Sequence, residues 1–319
     1  MAYYIGVDVG GSNIACAVVN DDCEIIARSK AKTHGETGKA DYDEVVDVII
    51  RTINLACEEA GIKPSEAFSI GIGCPGICNS DSGIVEYTNN LGFHNVPLKT
   101  DVEKEFNIPV YLDNDANAAA FGEFVAGAAK GARNAVVITL GTGVGSGIII
   151  DEKIYRGTNF AAGEIGHTVI VADGLPCSCG RKGCFEAYSS ATGLVNMTRK
   201  AAAENPQSLI NKLIEEDGKV SARTAYKAAK QGDEVGKRVT EEYVKYLAVG
   251  IANVINTFQP DILCIGGGVC NEGDLLLNPL KEAVYREIYS RDSKKTTELT
   301  ICTLGNDAGI IGAAMLHKA

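Results

Sequence analysis

Two stretches of this chain share one plan: an apolar run, a glycine-rich turn and a second apolar run. YYIGVDV, residues 3–9, passes through GGSN into IACAVVN, and NAVVITL, residues 134–140, passes through GTGVG into SGIIID. Short apolar runs bounded by turn residues read as strands, so each stretch is a hairpin. The elements behind the two hairpins also repeat in outline. Behind the first hairpin come the turn NDDC, a third strand EIIARSKA, a helix and the buried strand FSIGIG. The helix is expected over Asp43 to Ala60, with Val46, Ile49, Ile50, Ile53 and Cys57 on one side, Gly61 as its C-cap and Pro64 beyond. Behind the second come the short strand KIYRG, a long helix from Thr240 to Phe258, Pro260 and the buried strand DILCIGGG. The chain therefore reads as a weak structural duplication of an α/β unit, and 319 residues suffice for two domains. Residues 197–240, rich in Ala, Lys and Glu, read as amphipathic helices inserted into the second half. NDAGIIGAAMLH reads as a terminal helix with Asn306 or Asp307 as N-cap.

The turns DVGGSN (8–13), GIGCPG (71–76), LGTGVGSG (140–147) and IGGGV (265–269) each follow an apolar strand. Gly71, Gly73 and Gly76 match G-x-G-x-x-G, but CNSDSGIVEY comes next, a turn and a strand where a dinucleotide site needs a helix. The P-loop signature is absent. The chemistry that fits is a pair of phosphate-cradling hairpins, since residues lacking Cβ let backbone N–H groups approach phosphate oxygens. In the first, the Asp8 carboxylate precedes Gly10 and Gly11, so a metal-organising acid adjoins anion-binding amides. In the second, the Thr142 hydroxyl stands between Gly141 and Gly143. One such turn alone reads as an ordinary hairpin. Two of them, with the triple glycine 266–268, favour phosphate binding, and the layout resembles that of an actin-like ATPase.

YLDNDANAAAFGEF, beginning at Tyr111, places Asp115 between the strand PVYLD and an alanine-rich helix. Asp115 or Asn114 fits a helix N-cap. Asp115 also fits a general base that takes the proton of a hydroxyl attacking a γ-phosphate. Asp113 competes, and Asp115 is preferred because it lies at the strand's end, where α/β folds bind ligands.

A net charge of −11 with no basic run argues against a nucleic-acid partner. No apolar run reaches membrane-spanning length, and the N-terminus has no leader pattern. Of 11 cysteines, Cys16, Cys57, Cys264 and Cys302 lie in apolar segments and read as small buried hydrophobes. The exception is GEIGHTVIVADGLPCSCGRKGCFEAYSSATG, residues 163–193. It gathers Glu164, His167, Cys177, Cys179, Cys184 and Glu186 into what could serve metal, redox or catalytic chemistry. Its zinc-like spacing suits a reducing, cytoplasmic setting.

DVGGSN, GCPGICNSDSGIVEYTNNLGFHNVPL, LDNDANAAAFGE, TLGTGVGSGIII, GEIGHTVI, CSCGRKGCFEAYSS and IGGGV, in this order, resemble the ROK (repressor, open reading frame, kinase) family of sugar kinases, and within it the bacterial glucokinases. The resemblance implies an actin-like (ribonuclease H-like) fold of two α/β domains with a cleft between them. Residues 1–115 would form the smaller domain, with a helix at 305–319 packing back on it, and residues 116–304 the larger, with the zinc-binding insertion 163–193. It implies ATP-dependent phosphorylation of a hexose at the 6-hydroxyl with Asp115 as base. Gly76, Asn89, Asn90, Asn114, Glu164, His167 and Glu186 would meet the sugar. Gly10, Gly11, Ser12 and Asn13, then Gly141, Thr142 and Gly143, would form the phosphate loops, with Gly267 and Gly268 near the adenosine. Asp8 would organise Mg²⁺ through water. A homodimer is the family's common assembly.

By the same resemblance the family's usual zinc ligands would fall on His167, Cys177, Cys179 and Cys184, and three thiolates with one imidazole make a complete tetrahedral set, hence an expected structural Zn²⁺. Phe93 stands where glucokinases commonly carry Trp. Another hexose or an N-acetylhexosamine is the nearest alternative substrate. A sugar-sensing regulator is disfavoured by Asp115 and both phosphate loops, and a chaperone or filament ATPase by the cysteine cluster. The family's repressors carry an N-terminal DNA-binding segment, for which a strand beginning at residue 3 leaves no room.

Overall fold

The computed structural model describes residues 2–33 and 41–319. The chain forms two compact units, residues 1–136, 147–163 and 302–319 in the first and 137–146 and 164–301 in the second. The first therefore includes the helix after Asp115, which sequence alone places in the second domain.

The first unit begins β1 (Tyr3–Val9), β2 (Asn13–Asn20), β3 (Ile25–Lys32), α1 (Tyr42–Ala60) and β4 (Ser69–Cys74). It continues β5 (Ile77–Asn79), β6 (Ile84–Tyr87), β7 (His94–Val96), α2 (Leu98–Phe106), β8 (Val110–Asn114) and α3 (Asp115–Ala126). Its main sheet has the order β3-β2-β1-β4-β8. β1 is antiparallel to β2 and parallel to β4, and β8 continues the parallel side. Asp41 caps α1 by accepting from the Asp43 and Glu44 amides, so the helix starts just ahead of the expected Asp43. Gly61, at φ 71°, ends it as expected. Val45, Ile49, Ile53 and Cys57 of α1 pack with Ile5, Val7, Ile70 and Ile72 to form the core on one face of the sheet.

A second sheet takes β9 (Ala135–Leu140), β10 (Val144–Ile150), β11 (Lys153–Ile154), β12 (Ile262–Gly266) and β13 (Glu298–Ile301). Its order is β11-β10-β9-β12-β13, so both sheets repeat one sequence of strands, third, second, first, fourth, fifth along the chain. The small β5-β6-β7 sheet is separate.

The second unit's helices are α4 (Phe185–Ser189), α5 (Ala191–Glu204), α6 (Leu209–Asp217), α7 (Thr224–Lys230), α8 (Glu234–Phe258) and α9 (Asp274–Glu287). The long helix α8 starts earlier than the expected Thr240 because Asp233 caps it, accepting from the Gly236 amide at 2.7 Å. The same carboxylate accepts from Leu209 N–H at 2.9 Å and the Ser208 hydroxyl at 3.0 Å, which fixes the start of α6 as well. A Cβ on Gly250 of α8 would lie 2.1 Å from the Phe185 ring, so this glycine lets α4 seat against the buried face of α8.

The last helix, α10 (Ala308–Ala314), belongs to the first unit and covers the other face of its sheet. Glycines make this possible. A Cβ on Gly71 would lie 1.7 Å from the Ala313 carbonyl, one on Gly6 2.0 Å from that of Ile310, and one on Gly312 1.7 Å from that of Ala118 in α3. Gly71 and Gly73 are thus spent on close packing, which explains a G-x-G-x-x-G run without a dinucleotide site. The expected N-cap role of Asn306 or Asp307 is not realised: neither side chain caps α10, a 3-10 turn (Gly305–Asp307) precedes it, and Asp307 pairs instead with Arg28. Glu123 of α3, almost fully buried, holds the approach to α10 by accepting from the Thr303 and Leu304 amides at 3.1 and 2.8 Å. Cys16, Cys57 and Cys264 are buried, while Cys302 is only partly covered. No helix among the described residues is long and apolar enough to cross a membrane.

Candidate active site

In the first unit, parallel pairing aligns Asp8 with Gly73 and Gly73 with Asp113 at the carboxyl ends of β1, β4 and β8. At the β8–α3 junction Asn114 is the N-cap, its Oδ1 accepting from the Ala116 and Asn117 amides at 2.8 and 3.2 Å. Its Nδ2 donates to the Gly76 carbonyl at 3.0 Å, tying the helix start to the 73–76 turn. Gly76 has φ +94° and no room for a side chain, since a Cβ would lie 2.0 Å from the Tyr87 carbonyl. Asp115, freed from capping, is the first helical residue and stays partly open to solvent. Burial raises its carboxyl above the ordinary range, while hydrogen bonds from the Ala116 amide and neighbouring groups oppose this. Asp8 is pushed up to about 6, first by burial and then by the charge of Asp115. Two carboxyls whose proton affinity burial raises, one of them raised further by the other's charge, are a donor set a divalent cation relieves.

Asp113, the rival base, is committed elsewhere. Buried, it accepts from Arg156 Nε at 2.7 Å, Asn117 Nδ2 at 2.8 Å and the Asn114 amide at 2.7 Å. Sequence reasoning missed Arg156 and Asn117; the one available signal was an unexplained arginine in KIYRG.

The first glycine turn is closed by the Gly10 amide donating to the Asn13 carbonyl at 2.9 Å, with Ser12 and Asn13 exposed. Asn90 lies beside Gly11, its Cβ 3.7 Å from where a Gly11 side chain would begin. Asn89 Oδ1 accepts from the Tyr87 hydroxyl at 3.3 Å. Phe93 is buried edge-on against Tyr42 at 5.4 Å, so core packing accounts for this aromatic. The first unit thus gathers Asp8, Gly10, Gly11, Gly76, Asn89, Asn90, Asn114 and Asp115.

In the second unit the donor atoms of His167, Cys177, Cys179 and Cys184 all lie within 4.8 Å of one another. His167 closes a 3-10 turn (Ile165–His167), and Cys184 is the residue before α4. Between them the Cys177 amide donates to the Arg181 carbonyl at 2.9 Å and the Gly180 amide to the Cys177 carbonyl at 3.0 Å, folding the loop back on itself. Cys179 Sγ is 3.7 Å from Cys184 Sγ, and Cys177 Sγ is 3.7 Å from His167 Nδ1. Tetrahedral zinc with Zn–S near 2.3 Å and Zn–N near 2.0 Å sets edges of about 3.8 and about 3.6 Å, so the residues fit the metal.

The cluster adjoins the second glycine turn. Glu186 Oε2 accepts from the Val144 amide at 2.9 Å and Oε1 from the Ser178 hydroxyl at 3.0 Å. A Cβ on Gly143 would lie 2.3 Å from Glu186 Oε2, and one on Gly166, beside His167, 2.3 Å from the Val144 carbonyl. Glu164 directly precedes the 3-10 turn. Gly267, at φ +97°, backs onto the Leu140 carbonyl, and Gly268 opens the next 3-10 turn. Gly141, Thr142, Gly143, Glu186 and the four cluster residues are thus assembled within one unit.

A family model described as the ROK family matches residues 4–319. A glucokinase of Halalkalibacterium halodurans is 38% identical over 99% of this chain and 95% of its own length. A xylose repressor of Caldicellulosiruptor bescii is 34% identical over 89% of this chain and 70% of its own. The crystal structure of a ROK family glucokinase from Streptomyces griseus in complex with glucose and AMPPNP superposes with a TM-score of 0.82, at 34% identity over 99% of both chains.

Proposed function

The chain belongs to the ROK family, and on that premise we propose that it is an ATP-dependent kinase that phosphorylates glucose at the 6-hydroxyl. The observation that carries this reading is Asp115, placed at the β8–α3 junction, relieved of capping by Asn114 and left partly open. Full-length identity with glucokinases and likeness to a structure holding glucose and AMPPNP support the choice of sugar and donor.

Asp115 accepts the 6-hydroxyl proton as that oxygen attacks the γ-phosphorus in line. Its raised proton affinity brings it nearer the operating pH and makes it a stronger base than an ordinary aspartate. Gly76, through its backbone, Asn89, Asn90, Asn114, Glu164, His167 and Glu186 bind and orient the sugar hydroxyls. The turn of Gly10, Gly11, Ser12 and Asn13 and that of Gly141, Thr142 and Gly143 hold phosphate oxygens, chiefly through the unpaired Gly11, Thr142 and Gly143 amides, and Gly267 and Gly268 border the adenosine. Asp8 would hold Mg²⁺ through water, which supplies neutralising charge at the phosphates. His167, Cys177, Cys179 and Cys184 would hold Zn²⁺, which fixes the segments bearing Glu164 and Glu186.

A coupled ADP assay with glucose, mannose, fructose, N-acetylglucosamine and N-acetylmannosamine tests the reading. Glucose should give the highest kcat/KM. An N-acetylhexosamine leading the panel would replace the substrate assignment, and no sugar-dependent ADP at all would remove the kinase.

A further inference from the structure

The glycine turns of the two hairpins, 8–13 and 140–147, are each gripped by a threonine. In the first unit Thr33, the residue after β3, is fully buried and donates its hydroxyl to the Gly10 carbonyl at 2.6 Å and its amide to the Ser12 carbonyl at 3.1 Å. In the second unit Thr192, in the first turn of α5, donates its hydroxyl to the Thr142 carbonyl at 2.7 Å, and the Ala191 amide donates to the Gly141 carbonyl at 2.9 Å. The two threonines lie on unrelated elements, a strand end and a helix start, yet each donates its hydroxyl to a carbonyl of its turn, that of Gly10 in one and that of Thr142 in the other.

A trans peptide is planar, and its C=O and N–H point in opposite directions. Fixing the Gly10 carbonyl therefore turns the Gly11 N–H to the far side of the turn. Fixing the Gly141 and Thr142 carbonyls does the same to the N–H groups of Thr142 and Gly143. Among the described residues these three amides have no hydrogen-bond partner, and Gly141 and Thr142 are exposed. Unpaired amides turned outward from a glycine turn make an anion-binding concavity.

We propose that Thr33 and Thr192 are positioning residues for the nucleotide, each aiming the amides of one glycine-rich turn at phosphate oxygens through a hydroxyl on the turn's opposite face. This rests on the kinase reading above. Ser190, whose hydroxyl caps α5 by accepting from the Gly193 amide, holds Thr192 in place. Since α5 follows α4 and Cys184 directly, the cysteine cluster carries the second brace.

The test compares Thr33→Val and Thr192→Val, which keep shape and lose the hydroxyl, with Thr33→Ser and Thr192→Ser, which keep it. Titration calorimetry of the full-length protein with AMPPNP in the absence of sugar, and separately with glucose, supplies the readouts. Each valine variant should weaken AMPPNP about 3- to 10-fold, the range of one lost hydrogen bond, with glucose affinity unchanged. Each serine variant should stay within about 2-fold of wild type, and in the valine variants steady-state KM should rise for ATP alone. Valine variants that bind AMPPNP as wild type does, or that lose AMPPNP and glucose in parallel, overturn the inference. Should Thr33→Val fail to fold, Thr192→Val on an exposed helix start decides the matter. A wild type that binds no AMPPNP overturns the kinase reading and this inference together. Wild-type binding with indifferent valine variants overturns this inference alone.

Discussion

Replacing Asp8 by asparagine should make the ligand-free protein more stable at alkaline pH while removing its activity. Asp8 sits on β1 facing Gly309 of α10, where a Cβ would lie 3.0 Å from its Oδ2, and its carboxyl is pushed up to about 6 by burial and by Asp115. An aspartate in the unfolded chain titrates near 3.9. The folded state therefore binds this proton more tightly than the unfolded one, and ionised Asp8 opposes folding. The penalty is fully present above about pH 6, fades between about 6 and about 4, and is absent below that. A displacement of about two pH units corresponds to roughly 3 kcal/mol. The amide that replaces the carboxylate has its own polar atoms to satisfy, so the expected gain at pH 8 is about 1 to 3 kcal/mol. Guanidinium unfolding without Mg²⁺ or nucleotide, at pH 8 and pH 4.5, provides the measurement. The variant's midpoint should exceed wild type at pH 8, and its lead should shrink markedly at pH 4.5, inside the window where the penalty fades. A midpoint equal to or below wild type at pH 8 would refute the idea that the fold holds this charge at a cost.

Asp115→Asn should lower kcat by about 10²- to 10⁴-fold while glucose binding by calorimetry survives; near-normal turnover would remove Asp115 as base. In wild type the acid limb of kcat/KM should fall as Asp115 takes up its proton, with a midpoint above the ordinary aspartate range, because burial raises this carboxyl. Metal analysis should find one equivalent of zinc in the purified protein and none in Cys177→Ser, whereas a zinc-free active protein would refute the structural role. Asp113→Asn breaks a buried pair with Arg156 and should cost about 3 to 5 kcal/mol in denaturant unfolding; a shift under about 1 kcal/mol would show the pair to be dispensable.

Much of the fold is legible in the sequence, because strands and glycine turns are local. YYIGVDV, IACAVVN, FSIGIG, NAVVITL and DILCIGGG all lie on strands, and the duplication appears as two sheets with one strand order. The illegible part depends on long-range partners. Asp307 has the residue type and position of an N-cap, but Arg28 claims its carboxylate. Asp233 gives no local sign of capping α8 and bracing α6 together, so sequence alone starts the long helix too late. Glu123, in an alanine-rich helix, takes its role only from residues 303 and 304, which bring it their amides. The same division holds at the site. Asp115 and the cysteine cluster announce themselves by residue type and spacing, whereas Arg156, Thr33 and Thr192 act through single contacts with segments distant in sequence.

The glycine-lined seat of α10 bears on the order in which the molecule can be made. The first unit cannot close over its sheet until residues 302–319 arrive, because the strand face bearing Gly6 and Gly71 is shaped for a helix backbone and little else. During synthesis that face and the Glu123 carboxylate wait uncovered while the whole of 164–301 emerges. A nascent chain stalled before residue 302 would therefore present an open apolar sheet, a state that invites chaperones or aggregation. The protein's vulnerable stage lasts until α10 is out, and release of that helix from the ribosome, more than any earlier step, commits the first unit to its fold.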